Sequence, residues 1–315
     1  MSNEKAKGTE YEYEVSVLIL TYHPEWEKLK KTIKSIVFQK GIRQEIIVAD
    51  DGSEKNYREE LEALFASLDF ADYQLVMNPV NHGTIANFFS GLEKARGEYV
   101  KSISPGDYLT GDGILREWLD FTKRSGNDWS FSEAVPYTIQ NGDEIPAKVA
   151  SLPVNLNPYR KGKIHQARWN YVVYDDAPYG AAILCKKAVI LPYLHELMGV
   201  GNKYVEDSIY RLMMFDGICG CYYPKGTVFY EFGTGISTAK EDKWTKILLD
   251  EFKNVYQIID KRKNTDAVQK KIQNNIHKST VLLPGKAWRI IRQLYFPRRF
   301  TFQFSDTEAW RKLCR

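Results

Sequence analysis

Residues 15–50 read "VSVLILTYHPEWEKLKKTIKSIVFQKGIRQEIIVAD", and the fold class follows from how they are divided. "VSVLILTY", residues 15–22, is a continuous apolar run rich in β-branched residues, the pattern of a strand buried on both faces. Leu29, Ile33, Ile36 and Val37 then recur at i, i+4, i+7 and i+8, one stripe of an amphipathic helix ended by Gly41. "EIIVAD" is a second strand. The alternation continues with a helix over 56–68, a strand in "YQLVMN", a helix in "TIANFFSGLEKARG" closed by Gly97, and a strand in "EYVKSI". Four such alternations predict an α/β fold, a mostly parallel central sheet flanked by helices on both faces.

In a sheet of that kind ligands bind beyond the carboxyl ends of the strands. The segments leaving those ends are "TYHPE", "DDGSE", "NPVNHG" and "SPGDY". A strand that finishes on paired carboxylates, Asp50 and Asp51, therefore points to a polar ligand rather than to a core. From about 136 to 180 the pattern weakens, and "PVNLNPYRKG" reads as loop. Periodicity returns in "KYVEDSIYRLMMF", a helix with Val205, Ile209, Leu212 and Met213 on one face. "ICGCYY" and "TVFYEF" read as strands, and the chain after residue 240 as mainly helical.

Composition narrows the class. With 315 residues, 43% hydrophobic and 27% charged, the chain is an ordinary globular protein of one large domain with appendages, or two domains. The start, "MSNEKAKGTE", is polar without an apolar core, so no signal peptide is expected, and no run reaches 18 apolar residues. The expected location is cytoplasmic. Four scattered cysteines are too few for a disulfide framework, and the Cys219–Cys221 pair lacks the partners of a zinc site. Residues 240–315 hold 18 Lys and Arg against 8 Asp and Glu, whereas the first 239 hold 26 against 32. A mildly acidic body thus carries a basic, helical C-terminal extension.

Neither a dinucleotide-binding G-x-G-x-x-G after the first strand nor a P-loop is present, and G-x-S-x-G and H-E-x-x-H are also missing. What remains is acids at strand ends: Asp50, Asp51, Asp107, and later Glu206 with Asp207. Together, "VSVLILTYHPEWEKLKKTIKSI", "EIIVADDGS", "NHGTIANFFSGLEKARGEYVKSISPGDYL" and "YVEDSIYRL" resemble a family 2 glycosyltransferase of the GT-A fold, of the inverting, bacterial cell-surface polysaccharide type. The resemblance covers roughly residues 14–240. It implies a tail over 1–13, a catalytic domain over 14–240 with a nucleotide-binding half (14–110) and an acceptor half (111–240), and an extension over 241–315.

The resemblance also assigns roles. The second acid of "DDGS", Asp51, would accept a hydrogen bond from the uracil imide of a UDP-sugar, a task suited to a carboxylate. Thr21 and Tyr22 would join it, Asp50 would tie down the turn, and Ser53 would cap the following helix. Asn81 and Gly83 lie at a helix start facing the diphosphate, where His82 would contact donor or acceptor or simply be solvated. "SPGDYL" stands where the family has an Asp-x-Asp motif holding Mg2+ or Mn2+ against the diphosphate. Ser104 and Gly106 replace earlier acids there, so Ser104 and Asp107 would contact the donor and Asp107 is the one metal ligand left. In "VEDSIYRL", Asp207 would be the catalytic base, Glu206 would orient the acceptor or the helix start, and Arg211, at i+4, offers Asp207 a competing ion pair. Ser237 and Thr238, in the glycine-broken "GTGIST", would close over the diphosphate as a flexible loop, unless that segment is a plain hairpin turn.

The expected acceptor is a glycan or a lipid-linked precursor. Residues 285–299 form a basic amphipathic helix suited to an anionic membrane at the inner face of the cell membrane. Packing on the catalytic domain would explain its apolar stripe equally well. No recognition motif supports nucleic-acid binding. The alternative reading is a non-catalytic subunit that binds nucleotide or glycan for a partner transferase.

Overall fold

The computed structural model describes residues 11–147, 149, 152–235 and 242–282. The first hundred residues alternate as the sequence predicts: β1 Tyr13–Thr21, α1 Trp26–Val37, β2 Gln44–Asp50, α2 Arg58–Ser67, β3 Tyr73–Met77, α3 Thr84–Lys94 and β4 Gly97–Ile103. Then come β5 Tyr108–Leu109, α4 Ile114–Ser125, β6 Trp129–Gln140, β7 Asp143–Pro146, α5 Asn157–Arg160 and α6 Ile164–Tyr174. A 3-10 turn, Gly180–Ala182, leads into β8 Ile183–Lys186, α7 Lys187–Gly199, α8 Ser208–Asp216, β9 Cys221–Glu231, α9 Asp242–Lys261 and α10 Ala267–Leu282.

Among the described residues one sheet runs β3-β2-β1-β4-β8-β6-β9-β5, with β7 paired to β6. β1 through β4 pair in parallel. β8 is antiparallel to both β4 and β6, so β6 and its parallel neighbour β9 run in the direction of β4. The carboxyl ends of β1, β2, β4 and β9 therefore share one rim. Successive residues of β1 feed opposite faces: Val17 and Ile19 pack with Leu29, Ile33, Phe65 and Trp118 of α1, α2 and α4. Leu18 packs in the other layer, with Phe88, Tyr171, Leu194 and Met213 of α3, α6, α7 and α8. Coverage on both sides is why these strands read as unbroken apolar runs.

Several expectations change. Helix α3 stops at Lys94, and Gly97 opens β4 instead of closing the helix. The helix expected from residue 203 starts at Ser208, so Val205, Glu206 and Asp207 precede it. "ICGCYY" and "TVFYEF" contribute to a single strand, β9, whose register against β6 shifts on either side of Glu133. The loop reading of 153–162 contains the short α5. α6 was not expected, because buried Arg168 and Asn170 break its apolar stripe. Ser237, Thr238 and the basic segment 285–299 lie outside the described residues. No helix among the described residues is long and apolar enough to cross a membrane.

Candidate active site

The turn after β2 is built by Asp50. Its Oδ1 accepts from the Ser53 backbone N–H at 2.8 Å, and its Oδ2 accepts from the Ser53 hydroxyl at 2.7 Å and the Thr21 hydroxyl at 2.8 Å. Ser53 is thus a turn residue. It accepts from the His23 backbone N–H at 2.7 Å and caps no helix, since α2 starts after Tyr57 without a side-chain cap. Asp51 looks the other way. Its two oxygens accept the backbone N–H groups of His82 and Gly83, both at 2.9 Å, and so hold the start of α3. Each carboxylate oxygen still has a second lone pair for a ligand donor. Asn81 and His82 are exposed beside it, and the Tyr22 ring is 53% exposed.

A residue that sequence reasoning missed completes this end. Burial raises the Tyr204 phenol, and the charges of Glu251, Asp51 and Tyr22 add to the shift. Glu251 of α9 fixes its backbone by accepting the N–H groups of Lys203 at 3.0 Å and Tyr204 at 2.8 Å. Lys203 in turn lends its carbonyl to Ile85 of α3 at 2.8 Å. The start of α3 and the chain leading to Asp207 are therefore one packed unit.

At the end of β4, Ser104–Asp107 form a tight turn in which the Asp107 N–H donates to the Ser104 carbonyl at 3.0 Å. Pro105 and Gly106 take the second and third places of a type II turn, and Gly106 has φ +102°. Ser104 is exposed and Asp107 buried. Asp107 accepts the Glu231 backbone N–H at 2.9 Å, and burial pushes its carboxyl up to about 7. A Cβ at position 106 would lie 2.2 Å from Glu231 Oε2, so the Glu231 carboxylate fills the space an acidic side chain would need there. The other oxygen of Glu231 binds Lys28 Nζ at 2.8 Å, whereas Oε2 is buried without a hydrogen-bond partner.

Asp207 sits at the N-cap position of α8 without capping it. Asp207 is exposed as a residue, while its carboxylate is packed among protein atoms. That packing raises it to about 6, and Lys101 pulls in the opposite direction. Its flank is Gly180, where a Cβ would fall 2.2 Å from Oδ1 and 2.5 Å from Oδ2. Burial, then the charge of Asp207, pushes Glu206 well up. The expected i+4 competitor has another use: Arg211 pairs with Asp175 and donates to the Val172 carbonyl and the Tyr256 hydroxyl.

Lys101 joins the two acidic ends. It is fully buried in β4, donates to the carbonyls of Ser102 and Ala181, and feels the charges of both Asp107 and Asp207. Its signal in the sequence was a lone lysine inside an apolar strand.

The family model for glycosyl transferase family 2 matches residues 16–188, more than half of the chain. The chain belongs to that family. Its α/β architecture is the GT-A fold. Solved structures agree in fold: S. aureus TarS residues 1–349 in complex with UDP-GlcNAc has a TM-score of 0.55 at 13% identity, covering 91% of this chain and 81% of that one. The UDP complex of TarS 1–349 has a TM-score of 0.53 at 12% identity, covering 87% and 76%. A longer TarS structure has a TM-score of 0.54 at 13% identity, and the match covers 87% of this chain but 44% of TarS. No curated protein sequence matches the chain.

Asp107 and the buried, unpartnered Oε2 of Glu231 are the carboxylate oxygens that would hold the divalent cation implied by the family resemblance. Among the described residues no three His, Cys, Asp or Glu side chains come together to hold a metal ion. Asp107 and Glu231 are adjacent, and Lys28 takes the other Glu231 oxygen.

Proposed function

We propose that this family 2 chain transfers a sugar from a UDP-sugar to a hydroxyl of a glycan or lipid-linked acceptor, with inversion at the anomeric carbon and with Asp207 as the proton acceptor. One observation carries the reading. Asp107 and Asp207, 100 residues apart in the chain, come to one rim of the sheet: Asp107 is held by the end of β9, and Asp207 abuts Gly180, whose neighbour Ala181 binds Lys101 of β4. A base has to lie beside the hydroxyl it deprotonates, and a leaving diphosphate has to lie on the opposite side of the reacting carbon.

The residues divide the work. Asp51, Tyr22 and Tyr204 surround the place for the base of the nucleotide, and the His82 and Gly83 amides hold the Asp51 carboxylate there. In the displacement a bond forms between the acceptor oxygen and the anomeric carbon as the bond from that carbon to the diphosphate breaks. The proton of the acceptor passes to Asp207, and UDP leaves with the bonding electron pair. The TarS complexes with UDP and UDP-GlcNAc, on the same fold, support the choice of donor. The basic residues after 240 support an acceptor presented at an anionic membrane surface.

UDP release from a panel of UDP-sugars tests this, with UDP affinity measured in parallel. Asp207→Asn is expected to lower turnover by roughly 10²- to 10⁴-fold, the range of a lost general base, while UDP binds within a few fold of the parent. If UDP binding collapses as well, Asp207 has been given the wrong role. A parent chain that binds UDP but hydrolyses and transfers no sugar is a binding subunit.

A further inference from the structure

Position 106 has no room for the acid that the family resemblance places there. Gly106 is the third residue of the turn 104–107 and has φ +102°, a backbone conformation that L side chains rarely adopt. The space is filled from another element. Glu231, the last residue of β9, is 6% exposed, and its Oε2 lies 2.2 Å from where a Cβ of residue 106 would stand. The backbone N–H of the same residue donates to Asp107 Oδ1 at 2.9 Å. Two acids, one after β4 and one ending β9, are thereby brought to a single turn. Ser104, at the head of that turn, is exposed, so the pair lies one turn below the surface.

The two oxygens of Glu231 are treated differently. Oε1 accepts from Lys28 Nζ at 2.8 Å, an ammonium group that also pairs with Glu25 at 2.9 Å. Oε2 is buried and has no hydrogen-bond partner. A buried anionic oxygen left unpaired bears its full desolvation cost, and native proteins satisfy such atoms with a donor, a water or an ion. The polar groups of the turn are committed elsewhere. The Gly106 N–H donates to the Thr32 hydroxyl at 3.2 Å, the Asp107 N–H donates to the Ser104 carbonyl at 3.0 Å, and the Gly106 carbonyl accepts from the Tyr137 hydroxyl. Those bonds also fix the turn between α1 and β6, so the aim of Oε2 is set before a ligand arrives.

We infer that Glu231 is the second carboxylate ligand of a divalent cation at Asp107, supplied by β9 in place of an acid at 106, and that the cation and the nucleotide diphosphate complete one another's site. The inference rests on the sugar-nucleotide reading and names the residue that restores its metal site. Among the described residues no third His, Cys, Asp or Glu side chain joins the pair. One or two carboxylates are a usual protein share for Mg2+, with phosphate oxygens and waters taking the remaining positions. The diphosphate is then a ligand itself. Linkage requires the cation to tighten UDP by the same factor by which UDP tightens the cation.

The test uses the full chain, Mn2+ and UDP. Free Mn2+ is read by electron paramagnetic resonance with and without saturating UDP, and UDP affinity by calorimetry in EDTA and in Mn2+. In the parent, UDP is expected to tighten Mn2+ by roughly 5- to 150-fold, the usual span of a coupling, and Mn2+ to tighten UDP equally. Glu231→Gln keeps the shape of the side chain. It is expected to weaken Mn2+ in the UDP complex at least about tenfold, the least that disturbing a ligand's surroundings costs, with UDP in EDTA bound within about threefold of the parent. A Glu231→Gln protein with parental Mn2+ affinity overturns the role of Glu231 and leaves the function standing. Equal losses of UDP affinity in EDTA and in Mn2+ also overturn it, because the residue then shapes the pocket and not the cation. A parent that binds UDP alike in both buffers and holds no Mn2+ overturns the inference but not the donor, whereas no UDP binding in either buffer rejects both. If Glu231→Gln does not fold, Glu231→Asp keeps the charge and draws the oxygens back by one methylene. It is expected to weaken Mn2+ in the same way, and parental Mn2+ affinity in that variant overturns the assignment.

Discussion

Gly180→Ala tests the placement of Asp207 without touching the carboxylate itself. An alanine Cβ would stand 2.2 Å from Oδ1, 2.5 Å from Oδ2 and 2.6 Å from Cγ, whereas ordinary contact begins near 3.4 Å. The carboxylate must retreat from 2.2 to 3.4 Å, a displacement of about 1.2 Å. Misplacing a catalytic group by roughly 1 Å costs on the order of 100-fold in rate, or about 2.7 kcal/mol of transition-state stabilisation. The carboxylate is the end of a side chain that can swing toward solvent, so little stability is lost. Removing a glycine also stiffens the unfolded chain, by about 0.4–1 kcal/mol in favour of folding. The expected result is a kcat about 100-fold lower, with UDP affinity and melting temperature near those of the parent. Gly113→Ala, where a Cβ meets nothing within 4 Å, is the control and should be silent. A Gly180→Ala enzyme with kcat within about threefold of the parent would refute the claim that this contact sets the geometry of the base.

Asp207, raised to about 6, must be ionised to accept a proton, so kcat should fall about tenfold per pH unit below about pH 6 and level off above it. A rate profile flat down to pH 4.5 would contradict this. Asp51→Asn keeps one acceptor for the His82 and Gly83 amides and loses the other, so a loss of about 1–3 kcal/mol should appear as a lower melting temperature, with UDP bound more than about tenfold less tightly. Glu251→Gln similarly frees either the Lys203 or the Tyr204 amide. It should lower kcat through the loosened approach to Asp207 and raise KM for the donor through the loosened Tyr204, as steady-state kinetics would show.

The half of the fold around β1–β4 was legible because burial on both faces writes itself as unbroken apolar runs punctuated by polar turns. The acids at the ends of those runs were legible for the same reason, since a core strand has no use for Asp50, Asp51 or Asp107. What escaped was set by neighbours distant in the chain. Arg168 and Asn170 erase the stripe of α6 because that helix is enclosed and binds carbonyls of α8. The helix expected at 203 starts later because Glu251 captures the Lys203 and Tyr204 amides for a loop. Glu231 looked like one residue of a strand, and only the space missing at Gly106 shows what it replaces. Lys101 passed as one residue of the strand "EYVKSI", because what its burial means depends on neighbours that only the tertiary structure supplies.

The grip of α9 on residues 203 and 204 has a practical consequence. The family match ends at residue 188, before the turn that presents Asp207, and that turn is steadied by a helix beginning at Asp242. Trimming the chain to its shared portion would discard Asp207 together with the helix that braces its approach, leaving the strands and turns around Asp51 and Asp107 alone.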